Sequence, residues 1–228
     1  LPSFYTAEPT QDGERAVTIR RVGDVQWVMS AYHVPSGADP DFASLDLVVL
    51  ALGDTPAGRL HKGLVETKQA SQIFGGDFQL YDPGTAYFAA QVRQDQSLDT
   101  ARDGLIKIVE AIATTPPTTE ELERARTNLL TQIELQLNSS DRVGLQLSEW
   151  IGMGDWRLLF LHRDRLRKAT VEDARRVAAK YFKPSNRTVG LFIPTPQPDR
   201  VEMPPQPDLV SMLKDYKGGA VVAVGGAF

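Results

Sequence analysis

The sequence contains no cysteine. That absence excludes disulfide frameworks, thiol nucleophiles and cysteine-ligated zinc or iron–sulfur centres together. Histidine is scarce, with three in 228 residues. No apolar run approaches the roughly 20 residues that a membrane helix needs. Positive charge is not in excess either: 25 Lys and Arg stand against 29 Asp and Glu, a formal net charge of −4. A generally basic surface of the kind that coats nucleic acid is therefore excluded. The chain begins at Leu1 without an initiator methionine or a signal-peptide pattern, and is expected to be a piece of something longer.

What is present suffices for a core. At 42% hydrophobic residues, the chain is long enough for one large domain or two small ones. Residues 1–14 show no usable period and are expected to form an incoming arm. Arg15–Val22, with Val17 and Ile19 on one face, has a strand pattern. So does Val25–Val34, where Val25, Trp27, Met29 and Ala31 alternate with polar Gln26 and Ser30. Gly23-Asp24 between them suits a two-residue turn, so the pair is expected to be an antiparallel hairpin. Asp39-Pro40 marks a helix start, followed by Phe42, Leu45, Val49 and Leu52 at helical spacing. Thr55-Pro56 repeats that signal for a shorter helix through about Thr67. Strands follow near Ser71–Tyr81 and Ala86–Arg93, and Gly75-Gly76 suggests a bulge in the first.

The second half has a helical period. Leu98, Ala101, Leu105, Ile108 and Ile112 make one stripe, which Pro116-Pro117 ends. Thr118 with Glu121 spells a capping box for the next helix, whose stripe is Leu122, Ala125, Leu129, Ile133 and Leu137. Further helices are expected at about Asp141–Met153, Trp156–Lys168 and Val171–Phe182, the last capped by Thr170 and Asp173. Thr188–Ile193 is a final strand. Prolines at 194, 196, 198, 204, 205 and 207 then predict an extended linker. The expected fold is α+β, one domain over 15–193 with a mostly antiparallel sheet and helices packed on one face, followed by a Pro-rich arm over 194–228.

Chemistry-bearing patterns are few. No two of His33, His61 and His162 are close enough in sequence for the i, i+4 geometry that a metal uses. His61 and Glu66, five apart, are expected on different sides of a helix. No serine sits in a Gly-x-Ser-x-Gly elbow, and His162-Arg163-Asp164 matches a kinase catalytic loop only as a tripeptide. Arg163, Arg165, Arg167, Lys168, Arg175 and Arg176 form either a basic patch or a solvated helix face, with the second favoured.

Several segments, in order, resemble the insulinase/pitrilysin family of zinc metallopeptidases. They are QDGERAVTIRRVG (11–23), AYHVP (31–35), AGRLHKGLVE (57–66), TTEELERARTNLL (118–130), Leu145–Leu166 and YFKPSNRTVGLFIP (181–194). The resemblance implies a unit with an antiparallel sheet and helices on one face. In the family's active units an H-x-x-E-H helix holds zinc and activates water. Here Leu45, Val48 and Val49 stand where the first histidine, the glutamate and the second histidine would be. The resemblance thus implies an inactive unit with no catalytic residue and no metal of its own, zinc being expected in an active partner half. Family units without zinc often supply an Arg and a Tyr to the substrate, and Val65 and Gln72 occupy those places here.

The implied role is the non-catalytic half of a bipartite zinc metalloendopeptidase, shaping and closing a peptide chamber. The alternative is a structural scaffold module with no role in proteolysis. The expected partners are the zinc-bearing half, on the same polypeptide or another, and a peptide substrate, with no nucleic acid and no membrane span. The bacterial periplasm or envelope is favoured over the cytoplasm. His33, Arg59 and His61 are the candidate substrate-binding residues of the chamber wall.

Overall fold

A computed structural model describes residues 9–219. The elements run β1 (Arg15–Val22), β2 (Gln26–Val34), α1 (Phe42–Gly53), a single π-helical turn (His61–Val65), β3 (Gln72–Asp77) and β4 (Gly84–Val92). Then come α2 (Leu98–Ala111), α3 (Thr119–Leu137), α4 (Ser140–Gly152), α5 (Leu158–Lys168), α6 (Val171–Tyr181), β5 (Arg187–Thr195) and α7 (Leu209–Leu213). The strands form one mixed, mostly antiparallel sheet in the order β1-β5-β2-β4-β3, with only β1 and β5 parallel. The fold is the expected α+β arrangement.

The expected β1–β2 hairpin is not formed. Strand β5 lies between the two, pairing Gly190 with Val17 of β1 and with Met29 of β2. Residues 23–25 therefore cross two strand spacings of about 4.8 Å each, which four Cα steps reach easily. A turn signal is local, but strand order is set by which strands need neighbours on both edges. All of β1 is exposed, as suits an edge strand, while β5 brings Val189 into the core.

Helix α1 is the centre of the core. It lies on β3 and is surrounded by α3, α5 and α6, while α2 and α6 pack on β2. Sequence periodicity marked a single apolar face, yet Phe42, Leu45, Leu47, Val48, Val49 and Leu52 are all buried. A helix apolar on every side needs cover on every side, and α3 and α5 supply it. It begins at Phe42 rather than beside Asp39. Asp39 instead closes the preceding turn, its Oδ1 accepting from the Asp41 N–H at 2.8 Å. Asp41 ties the start of α1 to α6 through Arg176 (2.7 Å), Lys180 (2.8 Å) and the Tyr181 hydroxyl (3.0 Å). Although burial opposes ionisation, those three donors win and hold its carboxyl at about 2.

The helix expected from Thr55-Pro56 is a run of turns, with helical winding starting only at Arg59. Gly58 donates its N–H to the Asp54 carbonyl at 2.8 Å, a closure so tight that a Cβ at 58 would lie 2.4 Å from that oxygen. The expected bulge at Gly75-Gly76 is absent, because the register with Phe88 and Tyr87 is unbroken. Gly75 has another cause: a Cβ there would stand 2.8 Å from the Gly53 Cα, so α1 ends in backbone contact with β3.

Both capping boxes form. Thr118 and Glu121 open α3, and Thr170 and Asp173 open α6, each with side chain and backbone satisfied reciprocally. Of the N-terminal arm, Gln11 is buried and its Nε2 donates to the Arg187 carbonyl at 2.8 Å. The chain divides into two units after Gln197. Within the second, residues 198–208 carry no regular structure, but α7 forms where only an extended arm was expected, capped by the Asp208 carboxylate. The last part of the expected arm, 220–228, lies outside the described residues. Among the described residues, no helix is long and apolar enough to cross a membrane.

Candidate functional site

Two surfaces bear on function: the helix that would hold the family's zinc, and the side of the sheet that the helices leave open. On α1, Leu45 and Val48 are fully buried and Val49 nearly so. Aliphatic side chains offer a metal no lone pair, and these are turned into the core. Zinc does not fit at these positions, and no step of hydrolysis runs through them. Among the described residues, no group of three or more His, Cys, Asp or Glu is arranged to hold a metal ion. Val65 is half-buried on the π turn, and Gln72 is exposed on β3.

The open side is set by the pleat. In β2, Val28, Ser30, Tyr32 and Val34 are buried towards the helices, so Trp27, Met29, Ala31 and His33 project the other way. Strand pairing then lines up Val17, Gly190, Met29, Ala89 and Phe74 in one row across all five strands. The neighbouring row holds Ile19, Phe192 and Trp27. Val17, Ile19, Met29 and Phe74 stay 43–50% exposed. Trp27 and Phe74 approach to 5.5 Å between ring centroids. Where Gly190 carries no side chain, a shallow apolar trough of about 250 Å³ opens between Val17, Ile19, Trp27, Met29 and Phe192. The signal for this surface was already in β2, whose apolar positions occupy both faces, but alternation alone does not say which face is covered.

The three residues proposed for substrate contact are not brought into one cluster. His33, next to last in β2, lies on the open side opposite Thr85, and its carbonyl accepts from Asn186 Nδ2 at 2.9 Å. Arg59 and His61 lie on the segment that leaves α1. The Arg59 guanidinium is committed: it donates to Glu121 (2.6 Å) and to the carbonyls of Thr115 (2.6 Å) and Pro116 (2.7 Å), pinning this segment to the start of α3. Burial would raise the Glu121 carboxyl, but the Arg59 donors and the Thr118 N–H hold it below its usual range.

His61 and Glu66 stand on the same side, contrary to the α-helical expectation. The Glu66 N–H donates to the His61 carbonyl at 3.1 Å, an i→i+5 bond, and a five-residue step in a π turn returns to one face. The His61 Nδ1 lies 3.8 Å from Glu66 Oε1, too far for a hydrogen bond, so this nitrogen has no hydrogen-bond partner among the described residues.

His162 is a buried structural histidine. It contacts Asp46 through Nε2 at 3.2 Å and packs against Trp150 and Phe42. The arginine-rich helices form no free basic patch. Arg165 donates to the Ala38 and Asp39 carbonyls, Arg163 and Arg167 pair with Asp164, Arg175 with Glu172 and Arg176 with Asp41. The sequence offered no sign of the contact between His162 and Asp46, since the two are distant in the chain and meet only through α5 packing on α1.

Comparison with known proteins places this geometry. A crystal structure of the inactive peptidase domain of a Bordetella parapertussis protein superposes with a TM-score of 0.73 at 46% identity, over 78% of this chain and 98% of that one. Zinc protease PqqE of Helicobacter pylori is 27% identical over 196 residues, 85% of this chain but 44% of that protein. The chain thus spans about half the length of this curated relative. The periplasmic protease PqqL of Escherichia coli shares the fold alone, with a TM-score of 0.61 and 17% identity over 81% of this chain and 21% of that one. Residues 2–129 match the family model described as the peptidase M16 inactive domain. That match covers more than half of the chain, and the chain belongs to this family of inactive peptidase domains.

Proposed function

We propose that this unit is the non-catalytic half of a bipartite zinc metalloendopeptidase, and that it shapes and closes a peptide chamber with a zinc-bearing half. The observation that carries this reading is the filling of α1. The fold around that helix is retained, while the places of the zinc ligands and the glutamate are packed with Leu45, Val48 and Val49. A unit so built supplies surface rather than chemistry. Zinc belongs to the partner half, where it lowers the pKa of a bound water.

The open apolar side of the sheet is the surface this unit turns towards the rest of its parent. Contiguous exposed apolar area of this kind is uncommon on a free-standing domain. His33, on that same side, and His61, on the π turn, are assigned to the chamber wall, and Arg59 is assigned to holding the π turn in place. The compartment proposed for the parent is the bacterial periplasm or envelope; the periplasmic protease PqqL has the same fold.

Joining the unit to an H-x-x-E-H-bearing half, covalently or by mixing, tests the reading. Peptide cleavage by the active half is expected to rise on joining, and to fall when the open face is made polar. Unchanged cleavage in both arrangements, with a stable complex still formed, would favour the scaffold role.

A further inference from the structure

We propose that the outer edge of β1 is a docking site for an extended, acidic segment of a partner protein, which joins the sheet as a further strand. This goes beyond the chamber role and does not depend on it.

The two edges of the sheet are unlike. At one edge, β3 has six residues, includes Gly75 and Gly76, and is partly buried where α1 and the π turn pack on it. At the other, β1 runs for eight residues and is exposed along its whole length. Its one strand neighbour among the described residues is β5. A strand paired on one side sends alternate N–H and C=O groups to that neighbour and the rest outwards. The outer edge of β1 is therefore a row of main-chain donors and acceptors, and a second extended chain is what completes such a row.

The side chains of β1 suit the same occupant. Towards the open side, Val17 and Ile19 border the apolar trough together with Phe192. Towards the helices, Ala16 and Thr18 border a second cavity of about 320 Å³, shared with Ile106 of α2 and with Val189 and Leu191 of β5. A strand laid about 4.8 Å outside β1 would extend the apolar row with one set of its side chains and cover this cavity with the other.

Charge decides which extended chain fits. Within β1 there are three arginines, Arg15, Arg20 and Arg21, and no acid. Arg20 and Arg21 stand opposite Ile193 and Pro194 of β5, and neither side chain has an ion pair or hydrogen bond among the described residues. Of the nearest acids in sequence, Glu14 is taken by Arg187, and Asp24 makes no ion pair with either arginine. Two uncompensated cations on an edge strand repel a basic strand and attract one that carries carboxylates. The same charges disfavour a second copy of this chain, because pairing β1 with itself would bring the arginines of both copies into one ribbon.

The test uses the full chain, isotope-labelled, and a short synthetic peptide of alternating valine and threonine with two adjacent glutamates. Binding is followed by amide exchange and by NMR shifts. The outward N–H groups of residues 15–22 exchange freely in the chain alone and should become protected when the peptide is added. A counterpart with lysines in place of the glutamates should bind more weakly. So should the acidic peptide N-methylated at consecutive central amides, which removes main-chain donors from both of its edges. An exposed cross-strand ion pair changes an equilibrium by up to about fivefold, so Arg20→Glu with Arg21→Glu should weaken binding of the acidic peptide by about tenfold or more. The proposal is overturned if the acidic peptide does not bind, or if protection appears outside β1. It also fails if the lysine or N-methylated peptide binds equally well. Protection of β1 that rises with chain concentration in the absence of peptide would instead assign the edge to a second copy. The two peptide controls decide the matter on the wild-type chain, even where the double variant folds poorly.

Discussion

The two faces of the sheet are built from similar residues and come to opposite ends. Towards the helices, Val28, Tyr32, Val34, Phe88, Ala90 and Val92 are buried almost completely. On the other side, Val17, Ile19, Met29 and Phe74 keep nearly half of their surface in solvent. Hydrophobicity is not what separates them. The covered face is covered because α1, α2 and α6 are fastened over it by specific polar contacts. The open face has the composition of a core, and none of helices α1 to α6 is fastened over it. Stability is concentrated on the first face, and the capacity to meet a partner on the second.

The largest effect is expected from the covered face itself. Phe88 is fully buried and meets Tyr32 and Phe182 edge-on. Phe88→Ala should cost about 3–5 kcal/mol of unfolding free energy, measured by urea denaturation. A loss below about 1 kcal/mol would mean that the two faces do not differ as described. Next come the fastenings. The Asp41 carboxyl, held at about 2 by Arg176, Lys180 and Tyr181, contributes above its unfolded value near 3.8, and the contribution is lost as pH falls through 4 towards 2. Asp41→Asn should remove about 1 kcal/mol at pH 7, discounted for its half-exposed cationic partners, and less at pH 3. Equal losses at both pH values would show that the contact acts through hydrogen bonds alone.

Thr118→Ala, at the cap of the α3 helix that packs on α1, should cost about 1 kcal/mol by the same denaturation assay. The smallest effect on the isolated chain belongs to the open face. Met29→Ser together with Val17→Ser should change stability by under about 0.5 kcal/mol per site. The same pair should weaken association with the active half, measured by calorimetry or sedimentation. A large stability loss with unaltered association would erase the distinction between the faces.

Much of the fold was legible in the chain. The capping boxes at Thr118 and Thr170 depend on residues three apart, so a local pattern suffices to place them, and the helices from 98 to 181 follow within a few residues. The filling of the zinc helix was legible too, because a ligand position either has a donor atom or lacks one. What escaped was every feature that joins distant segments. The insertion of β5 between β1 and β2 is one such feature, and the backbone contact of Gly53 with Gly75 is another. The π turn that turns Glu66 towards His61, though local, depends on a winding that helical spacing does not announce.

The sequence by itself determined most of the elements and the aliphatic side chains at 45, 48 and 49 of α1, since both rest on short-range backbone preferences and on the identity of single side chains. Only the tertiary structure decided which face of the sheet is covered and that His162 meets Asp46 in the interior. Those outcomes depend on how helices dock over strands, and docking joins residues that lie tens of positions apart in the chain.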